Sequence, residues 1–323
     1  MTNYFSRSRP SNASEMAAGN VHAAAVSEER VSEVGKTLMD TELPLASRYR
    51  ALFLLRNVAT DRCVEILASC LNDPSALLKH DIAYCMGQTR NSTAIPHLAQ
   101  VLKDTKQEAM VRHEAGEALG AIGDEEALQH LEPYLNDPEQ VIRETVQLAV
   151  QRIKYVNNKA SGDAILTTDS PYDSVDPTPI SDETDVTKLA QFLVDTDKSM
   201  WDRYRAMFAL RNINTDESIF ALAQGLYCED SALFRHEIAY VLGQVQNAVS
   251  FDALRDRLVK VDENCMVRHE CAEALGAIAS PECAKLLHEY AKDSEAVVAD
   301  SCQVALDMAA YEQSGDFQYA GAH

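Results

Sequence analysis

The sequence has no apolar run approaching the roughly 20 residues that a bilayer-spanning helix takes, which excludes a membrane role. It has no Cys-x-x-Cys pair among its eight cysteines (63, 70, 85, 228, 265, 271, 283 and 302) and no secretory h-region before them. Those thiols therefore read as reduced and packed, in a cytoplasmic protein. Positive charge is scarce, with 29 basic residues against 50 acidic ones and a net charge of -21. A phosphate backbone would be repelled by that balance, so nucleic acid is excluded and any charged partner is expected to be cationic. What is present in quantity is apolar residues, 46% of 323, ample for a buried core.

The sequence repeats itself. KHDIAYCMGQ (79–88) returns as RHEIAYVLGQ (235–244), and MVRHEAGEALGAI (110–122) as MVRHECAEALGAI (266–278), both displaced by 156 residues. RYRALFLLRN (48–57) returns as RYRAMFALRN (203–212), displaced by 155. Inside each half a period of 33 separates His80 from His113 and His236 from His269, the length of a helical hairpin. The chain thus reads as all-α, with eight HEAT-type hairpins in two pseudo-symmetric four-repeat halves of an α-α superhelix. Second helices are expected near 48–58, 79–88, 111–122, 141–153, 203–213, 235–244, 267–278 and 297–309. Asn-Asp-Pro at 72–74 and 136–138 is expected to cap and start helices.

Domain boundaries follow from composition. Residues 1–27 read as a disordered tail, 28–158 as the first half, 159–185 as a flexible acidic linker, 186–312 as the second half and 313–323 as a tail. A linker of that length lets the halves face each other about a pseudo-twofold axis. In the third unit Ala115, Ala118, Leu119 and Ile122 form one apolar stripe, which leaves His113, Glu114 and Glu117 to face a shared concave cleft.

Four His-acid dipeptides occupy one register: His80-Asp81, His113-Glu114, His236-Glu237 and His269-Glu270. The outer units carry Tyr49-Arg50, Arg143-Glu144, Tyr204-Arg205 and Ala299-Asp300 there instead. A requirement of the fold would put the pair in every unit, so its restriction to the middle units points to a local task. Imidazole and carboxylate together bind borderline divalent metals, and two His with one carboxylate leave coordination positions open. Two such sets make a dinuclear centre, and ligand type leaves iron, zinc and manganese all open. The zincin pattern is absent, since the fourth residue after each His is Tyr84, Glu117, Tyr240 or Glu273. His288-Glu289 lies out of register and reads as surface, as do His22, His97, His130 and His323. Gly87, Gly120, Gly243 and Gly276 each follow a motif His by seven residues, which suits either a substrate passage or close helix packing.

Together RYRALFLLRN, LLKHDIAYCMGQ and MVRHEAGEALGAI, with their second copies, closely resemble the deoxyhypusine hydroxylases over residues 35 to 312. Other HEAT-like proteins share the repeat but not the four in-register pairs. The resemblance implies a di-iron monooxygenase with two Fe2+ ions in its reduced form. It implies molecular oxygen as co-substrate, an unidentified reductant and a deoxyhypusine-containing translation initiation factor as protein substrate. By resemblance His80, His113 and Glu114 hold one iron, and His236, His269 and Glu270 the other. Asp81 and Glu237 are ligands or contact the substrate amine, the latter favoured because they correspond by duplication. The family pattern is His-Glu in all four places, so Asp81 is a departure, one methylene short. The alternatives are a non-catalytic HEAT scaffold for a basic segment and a dinuclear zinc or manganese hydrolase.

Overall fold

The computed structural model describes residues 26–160 and 171–314, and the expected tails lie almost entirely outside them. Regular structure in the described residues is helical: α1 (Glu28–Met39), α2 (Leu45–Val58), α3 (Asp61–Ser69), α4 (Ala76–Gln88), α5 (Ile95–Lys103), α6 (Ala109–Ile122), α7 (Leu128–Leu131) and α8 (Gln140–Ala160), then α9 (Val186–Val194), α10 (Met200–Ile213), α11 (Asp216–Ala223), α12 (Ala232–Val245), α13 (Phe251–Leu258), α14 (Cys265–Ile278), α15 (Pro281–Tyr290) and α16 (Ala296–Ser314). The even-numbered helices are the second helices of the repeat. They begin one to three residues before the expected positions, and serines cap three of them: Ser75, Ser199 and Ser231 each accept from the backbone N–H three residues on. Asp73 and Asp137, expected as caps, do something else.

That other task is the tie between successive units. The Arg48, Arg112, Arg203 and Arg268 Nε atoms each donate to a carbonyl ten residues back, at the end of the preceding helix, with N–O distances of 2.8 to 2.9 Å. Their outer nitrogens pair with Asp73, Asp137, Asp230 and Asp293 of the next connection. One buried guanidinium thus satisfies a helix C-terminus and fixes the following loop, which is how a buried charge is tolerated.

Among the odd-numbered helices, α1, α3, α5 and α9 bury an apolar face and expose the opposite side, and so form an outer layer. Helices α4, α6, α12 and α14 are buried almost all round, from Leu77 to Gly87 in α4 and from Leu233 to Val245 in α12 without a break. One face meets the outer layer and the other meets the opposite half, so the expected concave cleft is closed by its own pseudo-symmetric copy. Ala115, Ala118 and Leu119 are buried as the stripe predicts, with Ile122 half-buried at its end. The halves lock at both edges. Arg50 of α2 pairs with Asp307 of α16, while Glu144 of α8 accepts from Ser231 Oγ at 2.6 Å and Tyr155 packs edge-on to Trp201 at 5.8 Å.

Close packing also settles the glycines of the first half. A Cβ on Gly87 would lie 2.7 Å from Ala118 Cα, and one on Gly120 would lie 2.7 Å from Ala149 Cβ. These glycines let neighbouring second helices touch backbone to backbone; the passage reading does not apply to them.

The interhalf stretch differs from its expected flexibility where it is described. Tyr172, Val175, Pro177, Thr178 and Pro179 are buried, and Asp176 accepts two hydrogen bonds from Arg211 at 2.9 and 2.6 Å. A reading of composition counts Asp, Ser and Pro as loop formers and has no means of seeing the buried arginine that one of them pairs with. Among the described residues no helix is long and apolar enough to cross a membrane.

Candidate metal centre

His80 and Asp81 sit in the second turn of α4, and the other three dipeptides sit at matching points of α6, α12 and α14. The two halves therefore bring four imidazoles together on the pseudo-dyad. Ring centroids are 5.9 Å apart for His80 and His113, 5.4 Å for His236 and His269, and, across the halves, 5.1 Å for His80 and His269 and 5.2 Å for His113 and His236. All eight dipeptide residues are buried, none more than 4% exposed. Glu114 Oε2 lies 3.3 Å from His80 Nε2 and 3.4 Å from His113 Nε2, and Glu270 Oε2 lies 3.3 Å from His236 Nε2. His288 and His97 are exposed and His130 is half-buried, all remote in sequence register from the centre, while His22 and His323 lie outside the described residues.

Hydrogen bonds choose the tautomers. Thr145 Oγ1 donates to the Val141 carbonyl at 2.8 Å, so at 3.0 Å it accepts from His113 Nδ1. The Nε2 lone pair then faces the centre. His80 Nδ1 lies 2.7 Å from Asp81 Oδ1, which orients that ring the same way. One oxygen of Asp81 thus holds its own neighbour, the carboxylate-histidine arrangement that commonly supports a metal ligand, while Oδ2 is left without a partner. Its counterpart Glu237 makes no such bond to His236, whose Nδ1 has no partner.

Burial and crowding shift the charges of these groups in opposite directions. Burial pushes His113 and His269 well below the ordinary imidazole range, with the neighbouring imidazoles adding to it, and takes His236 down to about 3. His80 goes the other way. Burial opposes its charge, yet Asp81 and Glu114 hold it well above 6.5. Burial and mutual repulsion push Glu117, Glu237, Glu270 and Glu273 well up.

Many of these atoms have no hydrogen-bond partner: His80 Nε2, His113 Nε2, both ring nitrogens of His236 and His269, Asp81 Oδ2 and both oxygens of Glu270. A buried polar atom left so costs about 1–3 kcal/mol. The unsatisfied lone pairs belong to imidazole and carboxylate, the donor set of a borderline divalent cation. His80, His113 and His236 bring ligand atoms within 4.8 Å of one another, as do His236, His269 and Glu270 and also His113, Glu114 and Glu117. The residues present fit a metal centre.

One helical turn before the histidines, at the N-terminal ends of the second helices, lies a cavity of about 500 Å³. Met110, Leu233 and Met266 line it beside the carboxylates of Glu144 and Asp300.

HEAT repeats match residues 64–151 and a PBS lyase HEAT-like repeat matches residues 267–293. Deoxyhypusine hydroxylase of Danio rerio is 51% identical over 290 residues, covering 90% of this chain and 95% of the relative. That of Xenopus laevis is 54% identical over 299 residues, covering 92% and 96%. The solved structure of human deoxyhypusine hydroxylase in complex with glycerol is 50% identical, covers 89% of this chain and 98% of that one, and superposes with a TM-score of 0.85. The chain belongs to the deoxyhypusine hydroxylase family. As a member of the deoxyhypusine hydroxylases it is an enzyme, and the scaffold alternative falls away.

Sequence reading passed over the residues behind the dipeptides. Thr145 and its counterpart Ser301 are 156 residues apart, the duplication distance, and both are buried hydroxyls in outer units where the dipeptide is missing. That coincidence was the available signal. Tyr84 and Tyr240, whose hydroxyls lie 2.9 Å apart, stand out in the sequence only as residues that break a zincin pattern.

Proposed function

We propose that this chain hydroxylates the deoxyhypusine side chain of a translation initiation factor with molecular oxygen at a di-iron centre. The observation that carries the reading is the set of buried, unpartnered imidazole and carboxylate atoms gathered from both halves. His80, His113 and Glu114 would hold one iron, and His236, His269 and Glu270 the other. Two reducible irons would supply the activation of oxygen for insertion into a C–H bond. Overall the C–H becomes C–OH and the second oxygen atom leaves as water, with two electrons from a separate reductant and two protons. Zinc, which has no redox chemistry, does not serve that reaction.

The chain's own residues do the rest. Thr145 and Asp81 hold His113 and His80 with Nε2 inward. The close second-helix packing keeps the centre dry. The substrate's amines carry positive charge, and the cavity before the histidines offers Glu144 and Asp300 at its wall with apolar surface between, which suits an alkyl chain ending in ammonium. The buried Glu237 and the unpartnered Oδ2 of Asp81 would face the terminal amine. The net charge of -21 favours approach of a basic segment. A cytosolic location fits eight unpaired cysteines, six of them buried.

The test is metal analysis with an optical spectrum of protein purified in air, followed by assay on a deoxyhypusine-containing protein. About two irons per chain, a visible charge-transfer band and hydroxylation are expected. Colourless protein with stoichiometric zinc, active without oxygen, would overturn the reading.

A further inference from the structure

On α4, His80, Tyr84 and Gln88 recur at intervals of four, and on α12 His236, Tyr240 and Gln244 do the same. Residues so spaced share one face of a helix, so each half carries a ladder of three rungs. The ladders meet on the pseudo-dyad. The His80 and His236 rings are 5.8 Å apart, and the Tyr84 and Tyr240 hydroxyls are 2.9 Å apart. At the third rung the glutamines engage two consecutive residues of the interhalf segment. Gln88 Oε1 accepts from Val175 N at 3.0 Å, and Gln244 Nε2 donates to Ser174 Oγ at 2.8 Å. Gln244 Nε2 also donates to Tyr240 at 3.2 Å, which joins the second and third rungs.

The segment that receives these bonds is itself anchored to both halves. Asp176 accepts from Arg211 of the second half through its carboxylate and from Arg152 Nε of the first half, at 3.1 Å, through its carbonyl. Ser174 Oγ donates to Asp176 at 3.0 Å, and the Arg211 guanidinium lies 4.7 Å from the Tyr172 ring. The connection between the halves is therefore built into the end of the ladder opposite the cavity.

We propose that Ser174, Val175 and Asp176 are positioning residues of the metal centre. They hold the glutamine rung, and through the tyrosine pair they fix how far apart His80 and His236 stand across the halves. The inference rests on the reading of those histidines as ligands. Ligands drawn from two halves keep a metal only while the halves keep their spacing, and beside the side-chain contacts at the edges this strap is the covalent piece that touches both halves at the ladder.

The experiment loads the full chain with Fe2+ and follows transfer of the metal to a coloured chelator, with the melting temperature of the metal-free protein measured alongside. Asp176→Asn is expected to release metal about ten-fold faster than the parent, and Ser174→Ala a few-fold faster, with little change in melting temperature. Ser174→Thr, which keeps the hydroxyl, should restore the parent rate. Should Asp176→Asn fail to fold, the Ser174 pair carries the test alone. Unchanged release from parent and variants, all loaded with metal, overturns the strap and leaves the ligand reading standing. A parent chain that takes up no metal overturns both.

Discussion

The two halves present the same four histidines by the same helices, yet they hold them differently. In the first half each ring has a partner behind it, Asp81 for His80 and Thr145 for His113. In the second half Glu237 does not reach His236 Nδ1, and Ser301, standing where Thr145 stands, has a buried hydroxyl with no partner. His269 Nδ1 has Glu273 Oε1 at 3.5 Å without forming a hydrogen bond. Two small side-chain differences account for this. An aspartate is short enough to turn onto its own neighbour, and the branched threonine is restricted at χ1 where serine is free. Hydrogen bonds already orient both imidazoles of the first half; those of the second half are left without such partners.

The comparison breaks first at the supporting residues. Thr145→Val and Asp81→Ala should each lower affinity for one of the two metals about 10- to 100-fold, as loss of a partner behind a ligating histidine does elsewhere. Ser301→Ala should change little. Titration with metal, read by calorimetry, separates the two positions, and equal losses from Thr145→Val and Ser301→Ala would mean that the halves are equivalent after all.

Acid and base sharpen it next. The depressed His113, His236 and His269 contribute stability that is present above about 6.5 and lost as pH falls toward their folded values, about 3 for His236. The raised Glu117, Glu237, Glu270 and Glu273 contribute stability that is present below about 4.3 and lost as pH rises. At neutral pH the metal-free protein therefore carries unrelieved carboxylate strain, which a divalent cation removes with release of protons. The rise in melting temperature on adding metal should be larger near about pH 8 than near about pH 5.5. A rise independent of pH would argue against ligation by these groups. The smallest effect is the repair: Ser301→Thr should raise affinity at the second position by a few-fold, up to about 1 kcal/mol, with no change at the first.

Much of this was legible in the residues. Duplication and the 33-residue period disclosed the hairpins, and restriction of the dipeptides to the middle units pointed to the cluster of imidazoles that the fold assembles. Both are patterns of repetition, which a sequence displays directly. What stayed hidden were contacts between residues that no pattern links. The bond from Asp81 to His80 depends on a side-chain rotamer. The burial of Tyr172 depends on an arginine 39 residues further along, Arg211, and Val175 is held by Gln88 from the first half. The closed cleft depends on the angle at which one half meets the other, and the close approach at Gly87 and Gly120 depends on the spacing of neighbouring helices.

A stack of helical hairpins is ordinarily a spring, with a little give at every interface and two loose ends. The contact of Arg50 with Asp307 joins the first second helix to the last, and turns the spring into a clasped ring. In a chain closed on itself in this way each unit has a packed neighbour on both sides, so a shift at one histidine-bearing helix is opposed from two directions and not from one.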